Sequence, residues 1–127
     1  MKNQEKYVGK PLLLKHVPYT SIYGHPAVSE FVAVEPSGTR TRIECKWQQS
    51  SGSVDEKFPY VYLNALEAVP EEHVIILVDG GGAKPNAVAW LKNAAKNGLY
   101  KTNKNKNIEV MSLAEFTAWA NTDLSKF

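Results

Sequence analysis

Apolar side chains recur along this chain in two spacings, alternate positions and short unbroken runs, that are typical of strands. The run Phe31-Val32-Ala33-Val34 is apolar on both faces, and the run Val74 to Val78 is long enough only for a buried strand. The turn residues Pro36-Ser37-Gly38 join two of the strands into a hairpin. The predicted strands cover residues 11–17 (closed by Pro18), 28–35, 39–48, 73–78 and 108–111.

Apolar residues at helical spacing, with residues suited to helix ends, predict three helices. Ser53 and Glu56 have the spacing of a capping box, as do Ser112 and Glu115. Pro59 is expected to kink or restart the first helix, because its ring clashes with the carbonyl four residues back. Gly98 is expected to end the second helix. The predicted helices run from Val54 to residue 69, over residues 86–97, and from Ser112 to about Asn121.

Strands that alternate with helices after an opening hairpin predict an α/β fold with a mixed β-sheet flanked by helices. The 127 residues suit one domain, 1–127, and 43% hydrophobic with 22% charged residues is an ordinary globular composition. The aliphatic run at Val74–Val78 is too short to span a membrane, and we expect no secretory signal. The single cysteine, Cys45, cannot form an internal disulfide, which favours a cytoplasmic protein.

The third predicted strand separates polar and apolar side chains cleanly. Because side chains alternate along a strand, one face carries Thr41, Ile43, Cys45 and Trp47 and is expected to pack into a core. The other face gathers the only two arginines of the chain with further polar residues. That face carries Arg40, Arg42, Glu44, Lys46 and Gln48.

Hairpin register brings a second acid to this polar face. With a three-residue loop, Glu35 opposes Thr39 and Glu30 lands opposite Glu44. Two carboxylates about 5 Å apart repel by roughly 3 kcal/mol at an effective dielectric near 20. A shared proton, a salt bridge to Lys46 or Arg42, or a divalent cation such as Mg²⁺, Mn²⁺ or Ca²⁺ would offset this repulsion.

Two carboxylates, a cation and a lysine suit phosphodiester hydrolysis, in which the metal lowers the pKa of a bound water. The segment around Glu30, followed by Glu44-Cys45-Lys46-Trp47-Gln48, resembles the PD-(D/E)XK nuclease superfamily in its restriction endonuclease-like and Holliday-junction resolvase-like members. The resemblance implies a Mg²⁺- or Mn²⁺-dependent deoxyribonuclease, with DNA as substrate. It also implies metal binding by Glu30, Glu44 and the carbonyl of Cys45, catalysis by Lys46, support from Gln48 and a phosphate contact from Lys57.

Two departures from the family pattern affect these expectations. Only residues 2–8 are available for the opening helix, so we expect a shortened N-terminal helix, with the cover supplied by the last helix or a second subunit. Glu30 stands where Asp is commoner, and a longer side chain shifts a positioned group. A homodimer or a place in a larger nuclease assembly fits a domain this small.

Alternatives stay open for several of these residues. Glu30, Glu44 and Lys46 are also compatible with a salt-bridge ladder on a solvated face. Arg40 and Arg42 would either contact a phosphate backbone or pair with acids. The glycine-rich segment 79–84 lacks the spacing of a phosphate-binding loop, so no nucleotide cofactor is expected. The rival functions are a non-catalytic nucleic-acid-binding or structural subunit on a nuclease-like scaffold and a protein-interaction domain.

Overall fold

A computed structural model of the chain describes residues 12–47, 54–79 and 85–123. Its five strands form one mixed sheet in the order of the sequence. The first two pairings are antiparallel and the last two are parallel, which confirms the predicted α/β fold. The strands are β1 (Leu12–Thr20), β2 (Pro26–Val34), β3 (Arg40–Trp47), β4 (His73–Asp79) and β5 (Asn107–Met111).

The described helices are α1 (Val54–Leu63), α2 (Pro85–Asn97) and α3 (Leu113–Asp123). Helix α1 begins at the predicted residue and contains Pro59, and a π-helical segment, Asn64–Ala68, follows it. The longest helix in the described part of the chain has 13 residues, which is too short to cross a membrane.

Each face of the sheet is covered by helices. We call the face under α1 and α2 the front face, and its core includes Phe58 and Leu91 packed with Ile76. The opposite or rear face packs Ile43 and Ile75 against Phe116 and Trp119 of α3. The polar side chains of β3 lie on the front face, so part of this row is buried under a helix.

Two of the predicted helix-end signals are confirmed, at Ser112 and at Gly98, whereas Ser53 of the first predicted capping box lies outside the described residues. The Ser112 hydroxyl accepts a hydrogen bond from the Glu115 backbone N–H at 3.2 Å, and the Glu115 carboxylate accepts one from the Ser112 N–H at 2.9 Å. Gly98 follows α2 with φ +65°, a conformation that glycine adopts without strain.

The boundaries that face the first turn were predicted incorrectly, since β1 ends at Thr20 and not at residue 17, and β2 begins at Pro26 and not at residue 28. Strand β1 continues through Pro18 to Thr20, whereas the sequence suggested that Pro18 ends it. Within the described residues β1 pairs only with β2, and an edge strand tolerates proline because one side of its backbone makes no ladder bonds. The predicted N-terminal helix, Gln48 and the glycine-rich segment after Asp79 lie outside the described residues.

Candidate active site

The β2–β3 hairpin has the register that the sequence predicted. Glu35 N–H donates to the Thr39 carbonyl at 2.8 Å, and Gly38 N–H donates to the Glu35 carbonyl at 2.8 Å. Pairing then runs to Phe31 opposite Ile43. Continued by one residue, this register sets Glu30 opposite Glu44.

Beyond the residues Phe31 and Ile43, strands β2 and β3 no longer pair with each other. The last β2–β3 pair among the described residues is Phe31 with Ile43, while β2 stays paired to β1 as far as Pro26 and β3 stays paired to β4 as far as Trp47. The Glu30 side chain lies where the ladder would continue, and its Oε1 accepts a hydrogen bond from the Cys45 backbone N–H at 2.8 Å. A cleft therefore opens between β2 and β3 with a carboxylate at its apex.

The alternation of side chains changes phase at the same place. In β1 the exposed positions alternate except at Lys15 and His16, which are both exposed. His16 has φ +53° and lies opposite Glu30 in a register that is continuous on either side. After this phase change, the Ser29 hydroxyl reaches Glu44 on the front face, although strict alternation from Phe31 would place it on the rear face.

Glu44 is held from two sides. The Ser29 hydroxyl donates to Glu44 Oε2 at 2.7 Å, and Lys46 Nζ donates to Oε1 at 3.1 Å. Glu44 is 8% exposed, whereas the Lys46 side chain is 28% exposed. The arrangement presents a fixed carboxylate and a partly solvated ammonium group to the cleft, which differs from a solvated salt-bridge ladder.

Arg42 does not have the surroundings of a nucleic-acid contact. It is 2% exposed, and its guanidinium donates to the Glu71 carboxylate at 2.5 Å and to the Ser29 hydroxyl at 3.0 Å. It also lies 5.3 Å from the centre of the Tyr19 ring. Of the two alternatives that the sequence left open for Arg42, the structure shows the pairing with an acid, and the partner is Glu71.

The other two predicted cationic contacts are separated. Arg40 lies at the start of β3, about 20 Å along the strand from Lys46, and its Nε is 3.6 Å from Glu71. Lys57 is exposed on α1. The structure therefore brings Glu30, Glu44 and Lys46 together, and it leaves Arg40 outside this group.

Cys45 contributes its backbone to the site. Its side chain packs with the rear core, as predicted, while its N–H binds Glu30. Burial, together with the negative charges of Glu30 and Glu44, raises the pKa of the Cys45 thiol to about 11. The thiol is therefore protonated at neutral pH and unsuited to act as a nucleophile.

Several residues near the cleft escaped the sequence analysis. A cavity of about 30 Å³ borders Glu44, Lys46 and Tyr19. Burial of the Tyr19 side chain, together with the negative charge of Glu44, raises the pKa of the Tyr19 hydroxyl to about 12. In the sequence, the only feature that pointed to Ser29 was its position next to Glu30 in a predicted strand. No local pattern pointed to Glu71. The cavity is lined by Tyr19, Arg42, Glu44, Lys46, Tyr60, Val61, Asn64, Ala65, Val69 and Val74.

Two carboxylates and a backbone carbonyl are the groups that could hold a cation. In the described ranges no cluster of three His, Cys, Asp or Glu side chains surrounds a common point. Glu30, Glu44 and the Cys45 carbonyl are nevertheless hard oxygen donors, and Mg²⁺ is commonly bound through one or two carboxylates while keeping several waters. This donor set fits Mg²⁺ or Mn²⁺ better than zinc.

One of three comparisons with known proteins found a match. A family model described as a PD-(D/E)XK nuclease superfamily domain matches residues 1–124, which includes the hairpin and all three central side chains. No curated protein and no solved structure matches the chain. With a match over nearly its whole length, the chain belongs to the PD-(D/E)XK nuclease superfamily.

Proposed function

We propose that this protein is a metal-dependent deoxyribonuclease that hydrolyses phosphodiester bonds within DNA, as an endonuclease. The observation that carries the proposal is the Glu44 carboxylate, held by Ser29 and Lys46 at the point where β2 and β3 separate beside Glu30. A nuclease-like scaffold supports the same conclusion.

Each residue of the site has a proposed role. Glu30, Glu44 and the Cys45 carbonyl would hold Mg²⁺ or Mn²⁺, which when bound would polarise the phosphate and lower the pKa of a water. Lys46 would stabilise negative charge on the phosphate, since its ammonium group is partly exposed and already oriented by Glu44. Gln48 remains a proposed supporting residue.

Lys57 extends the proposed site onto α1. It is exposed and lies one turn of α1 before Tyr60, which borders the same cavity as Glu44, so its ammonium group would contact a phosphate next to the one that is cut. Arg40 is not included, because it lies at the far end of β3 beside the Glu71 carboxylate. The proposed substrate contact therefore stays close to the open end of the cleft.

A cleavage assay tests the proposal directly. The full chain is incubated with Mg²⁺ or Mn²⁺ and supercoiled plasmid, beside Lys46→Ala and, as a matched control, Lys96→Ala on the exposed side of α2. We expect nicking by the wild type and by the control, and a loss of about 10²–10³-fold in Lys46→Ala, the usual effect of removing a charge-stabilising donor. Undiminished cutting by purified Lys46→Ala would rule out its proposed role.

A non-catalytic nucleic-acid-binding module is the second candidate. It is favoured by the fact that both Glu44 oxygens already accept hydrogen bonds from protein groups, as in a purely structural network. Calorimetric titration with Mn²⁺ separates the two functions, because a nuclease site should lose metal affinity in Glu44→Gln. DNA binding with neither cleavage nor metal uptake would favour the binding module.

A further inference from the structure

An exposed aromatic cluster stands at the β1–β2 turn. Tyr23 is 67% exposed, and its ring stacks on that of Tyr60 with centroids 4.9 Å apart and 25° between the planes. The His25 ring meets Tyr23 edge-on at 6.3 Å. We call Tyr23, Tyr60 and His25 the aromatic platform.

The turn that carries Tyr23 and His25 is tightly constrained. The buried Ser21 hydroxyl accepts hydrogen bonds from the backbone N–H groups of Tyr23 and His25 at 3.2 and 3.3 Å. The Ile22 N–H donates to Asn64 Oδ1 at 2.9 Å, which ties the turn to the π-helical segment. An exposed ring on a fixed backbone loses little conformational freedom when it binds, so the platform is preorganised.

The platform adjoins the proposed active site. Tyr60 lines the same small cavity as Glu44 and Lys46, and hydrogen bonds with Ser21 and Asn64 lower the pKa of its hydroxyl. Lys57 lies three residues before Tyr60 on α1 and therefore on the same side of the helix. An aromatic face and cationic groups thus lie together beside the carboxylates.

We infer that the aromatic platform stacks an unpaired nucleobase of the strand that is cut, so that the substrate is single-stranded or locally unpaired nucleic acid. This inference rests on the proposed nuclease function. A base inside a duplex has both faces covered by its neighbours, whereas an unpaired base offers a free face to Tyr23. Stacking on an aromatic side chain is sequence-tolerant and is accompanied by cationic contacts to the backbone.

The test measures binding separately from cutting. The full-length Glu44→Gln variant is mixed with a single-stranded oligonucleotide that carries 2-aminopurine, or with the same sequence as a duplex. Tyr23→Ala is then added to this background, with Tyr23→Phe to keep the ring. Tyr100→Ala is the matched control, because Tyr100 is 66% exposed and lies outside the platform. Cleavage by the wild type is measured in parallel.

We expect Tyr23→Ala to weaken single-strand binding by about 10- to 100-fold, the effect that stacking of one base implies. Tyr23→Phe and Tyr100→Ala should bind as tightly as the parent, with 2-aminopurine fluorescence quenched on binding. Duplex affinity should change little. Equal single-strand affinity in Tyr23→Ala and Tyr100→Ala, with cleavage intact, would overturn the platform but leave the nuclease assignment standing. Absence of both binding and cleavage would overturn the two together.

Discussion

At the scale of single residues, the orientation of Glu44 depends on a buried chain of polar groups. Arg42 donates to the Ser29 hydroxyl, and that hydroxyl donates to Glu44. A hydroxyl has one proton, so the arginine on its acceptor side directs this proton toward the carboxylate. Glu71 in turn holds Arg42. In the proposed active site, Ser29 and Arg42 would therefore position Glu44 without contacting the substrate.

Ser29→Ala should impair catalysis more than substrate binding. Without the hydroxyl, Glu44 keeps Lys46 as a partner but loses the donor that fixes its second oxygen. We expect kcat to fall by about 10- to 100-fold with KM nearly unchanged, because small misplacements of a reacting group are costly. Steady-state kinetics on one oligonucleotide measure both constants. Ser37→Ala, in the exposed hairpin turn, is the control, and an equal kcat in the two variants would contradict the positioning role.

Glu71 should make the folded state sensitive to acid. Burial alone would raise the pKa of Glu71, but the hydrogen bond from Arg42 and the charges of Arg42 and Arg40 outweigh burial and lower it. A carboxyl whose folded pKa lies below its unfolded value of 4.5 adds stability above that value, and this stability is lost as the pH falls through the folded pKa.

The Glu71→Gln variant tests this linkage. At pH 7 it should lose about 3 kcal/mol of unfolding free energy, since Arg42 would remain buried without a counter-charge. Its stability should also fall less steeply than that of the wild type between pH 5 and the wild type's acid transition. Urea unfolding at a series of pH values measures both effects. Glu72→Gln, at the exposed neighbouring position, should follow the wild-type curve, and an identical curve for Glu71→Gln would refute the argument.

Residue positions that follow from a local rule could be predicted from the sequence. Strand alternation and hairpin register were enough to group Glu30, Glu44 and Lys46. The contacts from Arg42 to Glu71 and from Ile22 to Asn64 join residues 29 and 42 positions apart, and no local pattern encodes such distances. For that reason, the burial of Arg42 could not be predicted from the sequence and is known only from the packed structure.

At the scale of elements, the sequence predicts strands in which side chains alternate without interruption. In the β1–β2 hairpin the alternation of side chains instead changes phase at His16 and Glu30. The Ser29 side chain therefore lies on the front face. In β1 this change of phase is seen as two consecutive exposed positions, Lys15 and His16. Helix ends were predicted better, because capping residues act within one turn of the chain.

The left-handed conformation of His16 carries a cost that can be measured. A non-glycine residue with φ near +53° is strained by about 1 kcal/mol, whereas glycine adopts that conformation freely. His16→Gly should therefore be about 1 kcal/mol more stable than Lys15→Gly, in which glycine only weakens an extended strand. Chemical denaturation of the two variants gives the comparison. Equal destabilisation by both would show that the phase change does not depend on the backbone of His16.

At the scale of the whole molecule, the site lies at the junction of two kinds of sheet. Strand β3 pairs antiparallel to β2 on one side and parallel to β4 on the other. Crossover helices join the strands of the parallel half, whereas in the hairpin half the pairing of β2 with β3 ends at Phe31. The order of the elements could be predicted from the sequence, since each element has its own periodicity. The point where β2 and β3 separate could not, because it depends on how β1, β2 and β3 pair together.

Among the residues that the structure describes, few cationic groups accompany this site, and the net charge of the chain is only +2. If Lys46 and Lys57 are the groups that neutralise phosphates, the logarithm of the binding constant for single-stranded DNA should fall with the logarithm of salt concentration with a slope of about −1.4. Lys57→Ala should reduce the slope to about −0.7. Arg40→Ala should leave it unchanged, because Glu71 already lies beside that guanidinium.

Binding isotherms at several salt concentrations, with sedimentation velocity on the same samples, decide how many chains are involved. A slope near −1.4 from a monomer would agree with one site that binds one strand of DNA. A slope twice as steep, together with a dimeric sedimentation coefficient, would mean that two copies contact the same nucleic acid, as in a homodimer, one of the two assemblies that the sequence left open. A steep slope from a monomer would contradict the assignment of phosphate contacts to Lys46 and Lys57 alone.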